Sequence, residues 1–218
     1  MPLLYDELFT CPNCEAIFQS KVLGCYNTFG LRYSDLYIAS QEDPQPVLFQ
    51  NNLCPKCGFS AFSVEFRVFD INLDIVRKAI SKVEDFTGKK ATNFNAGDGF
   101  LEIAEYLGNN MLETKISITL QATHAYRELK DSNLEKSRIY LLDLIEQILD
   151  QKTFKENPEE LYLYLAGELN RLLKNENESL RYFKEAITKA PKISFISRIT
   201  QYQLSTPGEI IPNEIFGH

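Results

Sequence analysis

The amino-acid sequence predicts an α+β protein in which a small β part is followed by an all-α array of paired helices. The first segment holds two C-P-x-C units, at residues 11–14 and 54–57, among many Phe, Tyr, Val and turn residues. After Asp70 the apolar residues follow the period of an amphipathic helix. Short polar turns then separate further helical segments. We therefore expect two domains, at residues 1–69 and 70–218.

Composition limits the classes of protein that this chain fits. It has 218 residues and a formal net charge of -7, and residues 1–70 contain four basic and eight acidic side chains. Nucleic-acid binders normally carry a basic patch, so we do not expect a nucleic-acid partner. No apolar run approaches the roughly 18 residues of a membrane helix, and the N-terminus lacks the pattern of a secretory signal. We expect a cytoplasmic protein that does not enter the membrane.

The first domain is expected to contain short strands around turns. The stretches KVLGCYNTFGLRYSDLYIAS (residues 21–40) and PVLFQNN (46–52) have the composition of strands and turns, and Pro44 and Pro46 interrupt the chain between them. The stretch FSAFSVEFRVF (59–69) alternates between apolar and polar side chains. It predicts a strand that leads out of the second cysteine pair.

The chemistry of the first domain lies in its paired cysteines. A C-x-x-C turn places two thiolates on one side of a tight loop, and two such turns present four sulfurs tetrahedrally, as a closed structural zinc site requires. Proline fixes the backbone of each turn, and Gly58 can adopt a positive φ that lets backbone N–H groups point at sulfur. We therefore expect a structural Zn²⁺. Its predicted ligands are Cys11, Cys14, Cys54 and Cys57.

Other uses of these cysteines fit the pattern less well. A thioredoxin-like redox pair needs a single C-x-x-C in a βαβ context, while an iron–sulfur site and free thiols stay open as alternatives. A catalytic zinc keeps one open position, which four thiolates would fill. The odd total of five cysteines argues against a disulfide framework. We expect the fifth, Cys25, to be a small buried side chain, with a substituting metal ligand as the alternative.

No set of catalytic residues can be identified. His124 lies within a helical pattern and is expected to pack or to face solvent, and His218 is the last residue. Neither histidine has a second ligand at metal-binding spacing. The glycines of NAGDGF (95–100) resemble a phosphate loop, but the Lys-Ser/Thr that would follow is missing. We expect no enzymatic activity.

Six helices are expected in the second domain. Asp70 or Asn72 can cap the first helix and Gly88 can end it, and Asp98 is expected to cap a helix that carries Leu101, Ala104 and Leu107 after a loop at 91–100. Four more helices are predicted at residues 115–130, 134–151, 158–174 and 177–190, before an irregular tail from residue 205. The apolar stripe of the first helix consists of Ile75, Val76, Ala79, Ile80, Val83 and Phe86.

The last two predicted helices fit a tetratricopeptide unit of about 34 residues. Small residues would let two antiparallel helices approach closely, and Phe183 and the leucines would fill the space between helix pairs. Asn170 stands where a larger side chain is expected, and a generic bundle of α-hairpins is the alternative. With Pro191 as the closing proline, the pattern places Leu163, Gly167, Ser179, Phe183 and Ala186 at its characteristic positions, and more loosely Ala125, Ser137, Leu141 and Leu144 in the preceding pair.

Four stretches occur in an order that resembles a known bacterial family, the domain-of-unknown-function family 2225 (DUF2225), over roughly residues 4–203. They are LYDELFTCPNCEAIF, NNLCPKCGFSAF, ATHAYRELKDSN and LYLYLAGELNRLLKNENESLRYFKEAI. The resemblance implies a zinc-ribbon-like part joined to tetratricopeptide-like helices, with the same four cysteines as ligands. The family often has glycine where this chain has Glu15, and its helical turns usually end in Gly-Asp where this chain has Lys130-Asp131 and Lys174-Asn175. The resemblance implies no activity.

These observations together favour a non-enzymatic interaction module or scaffold. Its helical groove would bind a protein or peptide partner, because stacked helix pairs form concave surfaces. Zinc would contribute folding free energy to a β domain too small to be stable alone. The alternative is a nucleic-acid-associated zinc ribbon, which the negative charge disfavours. A thiol redox enzyme would require a reactive cysteine of low pKa.

Overall fold

A computed structural model describes residues 2–68, 70, 72–107 and 111–216. The chain forms two compact units: unit 1 comprises Met1–Thr28 and Ser40–Ser137, and unit 2 comprises Phe29–Ala39 and Arg138–His218. The predicted fold class is confirmed, because strands lie near the N-terminus and the C-terminal part is helical. Each of the two units contains residues from both predicted domains. The predicted boundary at 69/70 stays a prediction, and residue 69 lies outside the described residues.

The strands of unit 1 form two short antiparallel pairs. Strand β1 (Leu4–Thr10) pairs with β2 (Ile17–Leu23) so that Phe9 lies opposite Phe18, and β3 (Asn52–Leu53) pairs with β4 (Ser60–Ala61). Each pair encloses one C-P-x-C turn.

Two strand predictions in this region were wrong. The prolines and turn residues around residue 46 give a 3₁₀ turn at Pro46–Phe49 instead of a strand. The stretch after the second cysteine pair continues as a strand only to Ala61, and helix α1 (Ser63–Arg67) follows. The Glu65 side chain accepts a hydrogen bond from the Phe62 backbone N–H, which satisfies a donor that the first turn leaves unpaired. Local capping therefore outweighs the alternation of the side chains.

The helices begin and end close to their predicted positions. The four helices predicted after residue 110 are confirmed with shifts of a few residues, and α8 was not predicted. In the described residues, no helix is both long and apolar enough to cross a bilayer. The remaining helices are α2 Leu73–Thr87, α3 Ala96–Tyr106, α4 Leu112–Glu128, α5 Leu134–Gln151, α6 Glu159–Leu172, α7 Glu176–Lys189 and α8 Phe195–Ser205.

Capping residues set the ends of α2 and α3. Asn72 accepts a hydrogen bond from the Asp74 N–H at the start of α2, and Gly88, with φ of 72°, ends it as predicted. Helix α3 begins earlier than expected, because Asn95 is its N-cap and accepts hydrogen bonds from two backbone N–H groups. Asp98 instead occupies the third helical position and accepts from the Asn95 N–H, so that the two side chains form a reciprocal capping box.

Helices α3 and α4 of unit 1 pack at a glycine. A Cβ added to Gly97 would lie 2.6 Å from the ring of Tyr126, so only glycine allows this approach. The Tyr126 hydroxyl donates to Asp98 Oδ1 at 2.7 Å, and Lys89 Nζ lies 2.9 Å from Asp98 Oδ2 and 2.7 Å from Asp131 Oδ2. This buried polar network joins the start of α3 to the end of α4.

Helices α6 and α7 of unit 2 pack in the same manner. A Cβ added to Gly167 would lie 2.6 Å from Phe183, whose ring centre lies 5.8 Å from that of Tyr164. The small residues Ser179 and Ala186 on α7 are buried, as the sequence pattern required. The close approach of this helix pair therefore depends on the small positions that the sequence analysis identified.

Candidate metal centre

The two C-P-x-C turns have matching backbone hydrogen bonds. In the first turn the Cys11 N–H donates to Ala16 O at 2.9 Å and the Glu15 N–H donates to Cys11 O at 2.8 Å. In the second turn the Cys54 N–H donates to Phe59 O at 2.8 Å, and the N–H of the residue after the pair donates to Cys54 O at 2.9 Å. Two segments distant in sequence thus adopt the same closed loop, and each presents two cysteines.

The four sulfur atoms of these loops converge. Cys11 Sγ lies 3.6 Å from Cys57 Sγ, Cys14 Sγ lies 3.6 Å from Cys54 Sγ, and all four sulfurs lie within 4.8 Å of one another. A tetrahedron of sulfurs about 2.3 Å from a central ion has edges of about 3.8 Å, whereas a disulfide has sulfurs about 2.05 Å apart. The four cysteines therefore lie where they could hold a metal ion.

Hydrogen bonds stabilise negative charge on these sulfurs. The backbone N–H groups of Asn13 and Cys14 point at Cys11 Sγ. The Cys11 thiol donates to Cys57, which lowers the pKa of Cys57 to about 5 and raises that of Cys11. Burial raises the pKa of the Cys54 thiol. Because thiolates are the metal-binding form, the cluster already holds one readily ionised ligand before the others lose their protons.

The Asn13 side chain links the two turns. It makes a hydrogen bond to Cys57 of the opposite turn, and this bond also lowers the pKa of that thiol. The Asn13 Oδ1 atom accepts from Arg77 Nε of α2 at 3.1 Å, which leaves the amide N–H₂ end directed at sulfur. Asn13 was not predicted as a site residue; its position between the first two cysteines was the available signal.

An aromatic cluster holds the two strand pairs of unit 1 together. Phe66 of α1 lies 5.1 Å from Phe9, 5.6 Å from Phe18 and 5.0 Å from Phe59, measured between ring centres. Phe9 stands two residues before the first cysteine, and Phe59 stands two residues after the last. The burial of these four rings therefore fixes the distance between the loops that carry the sulfurs.

A family model described as "Uncharacterized protein conserved in bacteria (DUF2225)" matches residues 4–202. The chain belongs to this family. The resemblance noted in the sequence is thereby confirmed over nearly the same range. No curated protein and no solved structure matched the chain.

Three departures from the DUF2225 pattern have one structural explanation. Glu15, Lys130 and Lys174 have φ values of 59°, 52° and 65°, in the left-handed region that glycine adopts most easily. At each of these positions the resemblance noted in the sequence implies glycine. Gly58, the counterpart of Glu15 in the second loop, has φ of 76°, and a Cβ there would lie 2.6 Å from the Cβ of Ala91. Three non-glycine residues thus adopt the left-handed backbone conformation, whereas Gly58 has no room for a side chain.

The remaining candidate residues lie outside this centre. Cys25 is exposed and does not belong to the four-cysteine cluster, so the expectation of a buried side chain was wrong. Its segment leaves the end of β2 along the surface, where the Cys25 carbonyl accepts from the Leu3 N–H. His124 is buried in α4, as helix packing predicts. His218 lies outside the described residues.

Glu102 of α3 is an acidic residue that was not predicted to have a particular role. It is fully buried, and neither carboxylate oxygen completes a hydrogen bond within the described residues. Burial raises its pKa well above the usual value, and the nearby Cys57 raises it further, while the Ser60 backbone N–H acts in the opposite direction. The apolar neighbours Ile103 and Leu101 were the available signal for a buried position.

Proposed function

We propose that the four cysteines bind one structural Zn²⁺ and that this DUF2225 protein is a non-enzymatic interaction module. The observation that carries the metal proposal is the convergence of four sulfurs within 4.8 Å from two matched loops. Sulfurs this close leave room for a single ion. A tetrahedral set of four thiolates is typical of zinc or iron, and four-cysteine zinc sites are typically structural.

The surroundings of the cluster favour a structural ion. Four thiolates complete the tetrahedral shell and leave no position for substrate or water. Cys11 and Cys54 are 0% and 1% exposed, and Phe9 and Phe59 of the ring cluster flank the loops that carry them. In this arrangement Cys11, Cys14, Cys54 and Cys57 would hold the ion, and the backbone N–H groups and Asn13 would offset the charge on the thiolates.

The helices support the interaction proposal. Gly167 and Phe183 give the close helix pairing that a tetratricopeptide-like unit requires. Stacked helix pairs present surfaces that bind extended or helical peptides. The partner would be a protein or peptide, since the acidic composition does not favour nucleic acid.

Substitution of one cysteine tests the metal proposal. Structural zinc contributes about 10–16 kcal/mol in zinc-finger peptides, whereas a whole domain is stable by only about 5–15 kcal/mol. Cys54→Ser should therefore lose zinc and unfold the strand region of unit 1, while the helices of unit 2 keep their circular dichroism. Cys25→Ser is the matched control and should keep one zinc per chain by elemental analysis. A metal-free wild-type chain that folds as well as the loaded one would refute the structural role.

Binding assays test the interaction proposal. The zinc-loaded full chain is screened against arrays of peptides and, separately, against DNA and RNA at low and high salt. Saturable binding to a subset of peptides is the expected result. Affinity for nucleic acid that falls steeply with salt, without peptide binding, would replace the proposal with the nucleic-acid alternative.

A further inference from the structure

Helix α6 carries a buried polar stripe that packing alone does not require. Tyr164, Glu168 and Arg171 are spaced by four and three residues and so share one face of the helix. Tyr164 and Glu168 are both 0% exposed. Arg171 Nε and Nη2 donate to the two Glu168 carboxylate oxygens at 2.9 and 2.7 Å. A buried carboxylate that is paired and hydrogen-bonded on one helix face is suited to recognising a further polar group.

A short segment of the chain, residues 29–39, occupies this face within unit 2. Ser34 Oγ donates to Glu168 Oε1, and the Tyr164 hydroxyl donates to Ser34 O at 2.6 Å. The hydroxyl and the carbonyl of Ser34 are therefore both bound by the α6 stripe. Tyr37 and Ala39 are buried at 8% and 6% exposure and anchor the segment further along.

The same segment pairs with the C-terminal tail as an added strand. The Ser34 N–H donates to Glu209 O and the Ile211 N–H donates to Arg32 O, both at 2.8 Å, and Tyr33 lies opposite Ile210 in an antiparallel bridge. The tail is held in place in turn. Gln203 of α8 makes hydrogen bonds to both the N–H and the carbonyl of Gly208, at 3.0 and 2.7 Å.

These contacts have the form of peptide recognition by strand addition. Main-chain hydrogen bonds give affinity, and a specific side-chain contact gives selectivity. The bound stretch is short and continuous, its Ser34 lies 130 residues before Tyr164 of α6, and exposed residues 41–43 follow it. A short peptide could therefore reproduce the whole set of contacts.

We propose that the α6 stripe and tail residues 208–211 form a peptide-binding site, and that residues 29–39 are its intramolecular ligand. The partner is a peptide that folds into the same tight turn as residues 32–38, with a Ser or Thr hydroxyl followed three residues later by an aromatic side chain, as in Ser34 and Tyr37. This inference rests on the proposed interaction function and assigns its site. Because a tethered ligand has an effective concentration in the millimolar range for short linkers, a free peptide competes weakly until the resident segment is weakened.

Binding of a fluorescent peptide with the sequence of residues 29–39 tests the proposal on the full zinc-loaded chain. Fluorescence anisotropy should show at least tenfold tighter binding to the Ser34→Ala/Tyr37→Ala variant than to wild type. Adding Glu168→Gln to that variant should weaken binding about tenfold, since a hydrogen bond to a charged group is lost. Glu178→Gln on α7 is the matched control and should change nothing.

Hydrogen exchange on the wild-type chain gives a measurement that does not depend on variants folding. Excess peptide should accelerate exchange of the Ser34 amide, which loses its partner Glu209, while the Ile211 amide stays protected by the incoming strand. Unchanged exchange at Ser34 together with no binding to any variant overturns the proposal. If array peptides bind equally well to the wild-type chain and to the Glu168→Gln variant, this binding site is wrong but the proposed interaction function still stands. If the chain forms a concentration-dependent dimer that Ser34→Ala/Tyr37→Ala abolishes, the site is occupied by a second copy of this chain. The assignment of a peptide partner would then be wrong.

Discussion

Replacing the lysines that end two helices should show the cost of their backbone conformation. Lys174 follows α6 with φ of 65°, its N–H donates to Arg171 O at 3.0 Å, and the next N–H, of Asn175, donates to Asn170 O at 2.8 Å. This is the Schellman pattern, in which the left-handed residue is usually glycine. Lys130 ends α4 with the same pair of bonds, to Arg127 O and from Asp131 to Tyr126 O.

The magnitude follows from comparing glycine with alanine at one position. Both substitutions remove the lysine charge, but alanine keeps the left-handed strain of about 1–2 kcal/mol, while glycine loses about 0.5–1 kcal/mol more chain entropy on folding. Lys174→Gly should therefore be more stable than Lys174→Ala by about 0.5–1 kcal/mol. At Lys184, exposed in the middle of α7, the order should reverse, with alanine better by about 1 kcal/mol.

Thermal unfolding of the zinc-loaded chain, followed by circular dichroism, measures this difference. For a protein of this size, about 1 kcal/mol shifts the melting temperature by about 2–4 °C. The melting temperature of the glycine variant minus that of the alanine variant should thus be positive at Lys174 and negative at Lys184. If alanine equals or exceeds glycine at Lys174, the left-handed strain does not exist in solution and the explanation of the family departures fails.

Two further predictions concern unit 1. Asn13→Ala should weaken zinc affinity about 10–100-fold in chelator competition, and Arg77→Ala, which acts through Asn13, should add nothing to it in the double variant, with Lys78→Ala as control. A full additive effect of Arg77→Ala would contradict the proposed link. The Glu102→Gln variant should become more stable relative to wild type as the pH rises. The measurement is the difference in unfolding free energy between variant and wild type from about pH 5.5 to 7.5.

The sign of the Glu102 effect follows from its raised pKa. Above the unfolded value of about 4.3, the unfolded chain releases a proton that the folded chain keeps, so wild-type stability falls by about 1.4 kcal/mol per pH unit. The contribution is fully present below that pH and is lost as pH rises towards the folded pKa. Glutamine has no such proton. A variant-minus-wild-type difference that stays flat with pH would mean that Glu102 is already ionised in the folded chain. Cys57 is the group whose charge acts on Glu102, while Glu102 and Glu65 both act on the neighbouring Tyr106.

Local interactions explain the predictions that held. The start of α2 at Asn72 and its end at Gly88 depend on hydrogen bonds and φ values within a few residues. Three of the four helices predicted after residue 110 likewise end next to a residue with positive φ, namely Lys130, Lys152 and Lys174. Where two local signals competed, the prediction failed: the alternating side chains after Cys57 indicated a strand, but the capping contact of Glu65 with the Phe62 N–H produced α1.

The sequence by itself determined which cysteines form two matched pairs, because the spacing of C-P-x-C fixes a loop, and it determined most of the helices and the family. Only the tertiary structure decided that the two pairs meet, that Asn13 reaches Cys57, that Glu102 is buried and that residues 29–39 lie against α6. Each of these facts joins segments tens of residues apart. Such contacts depend on how the whole chain buries its apolar surface, whereas periodicity and capping report only on neighbours along the chain.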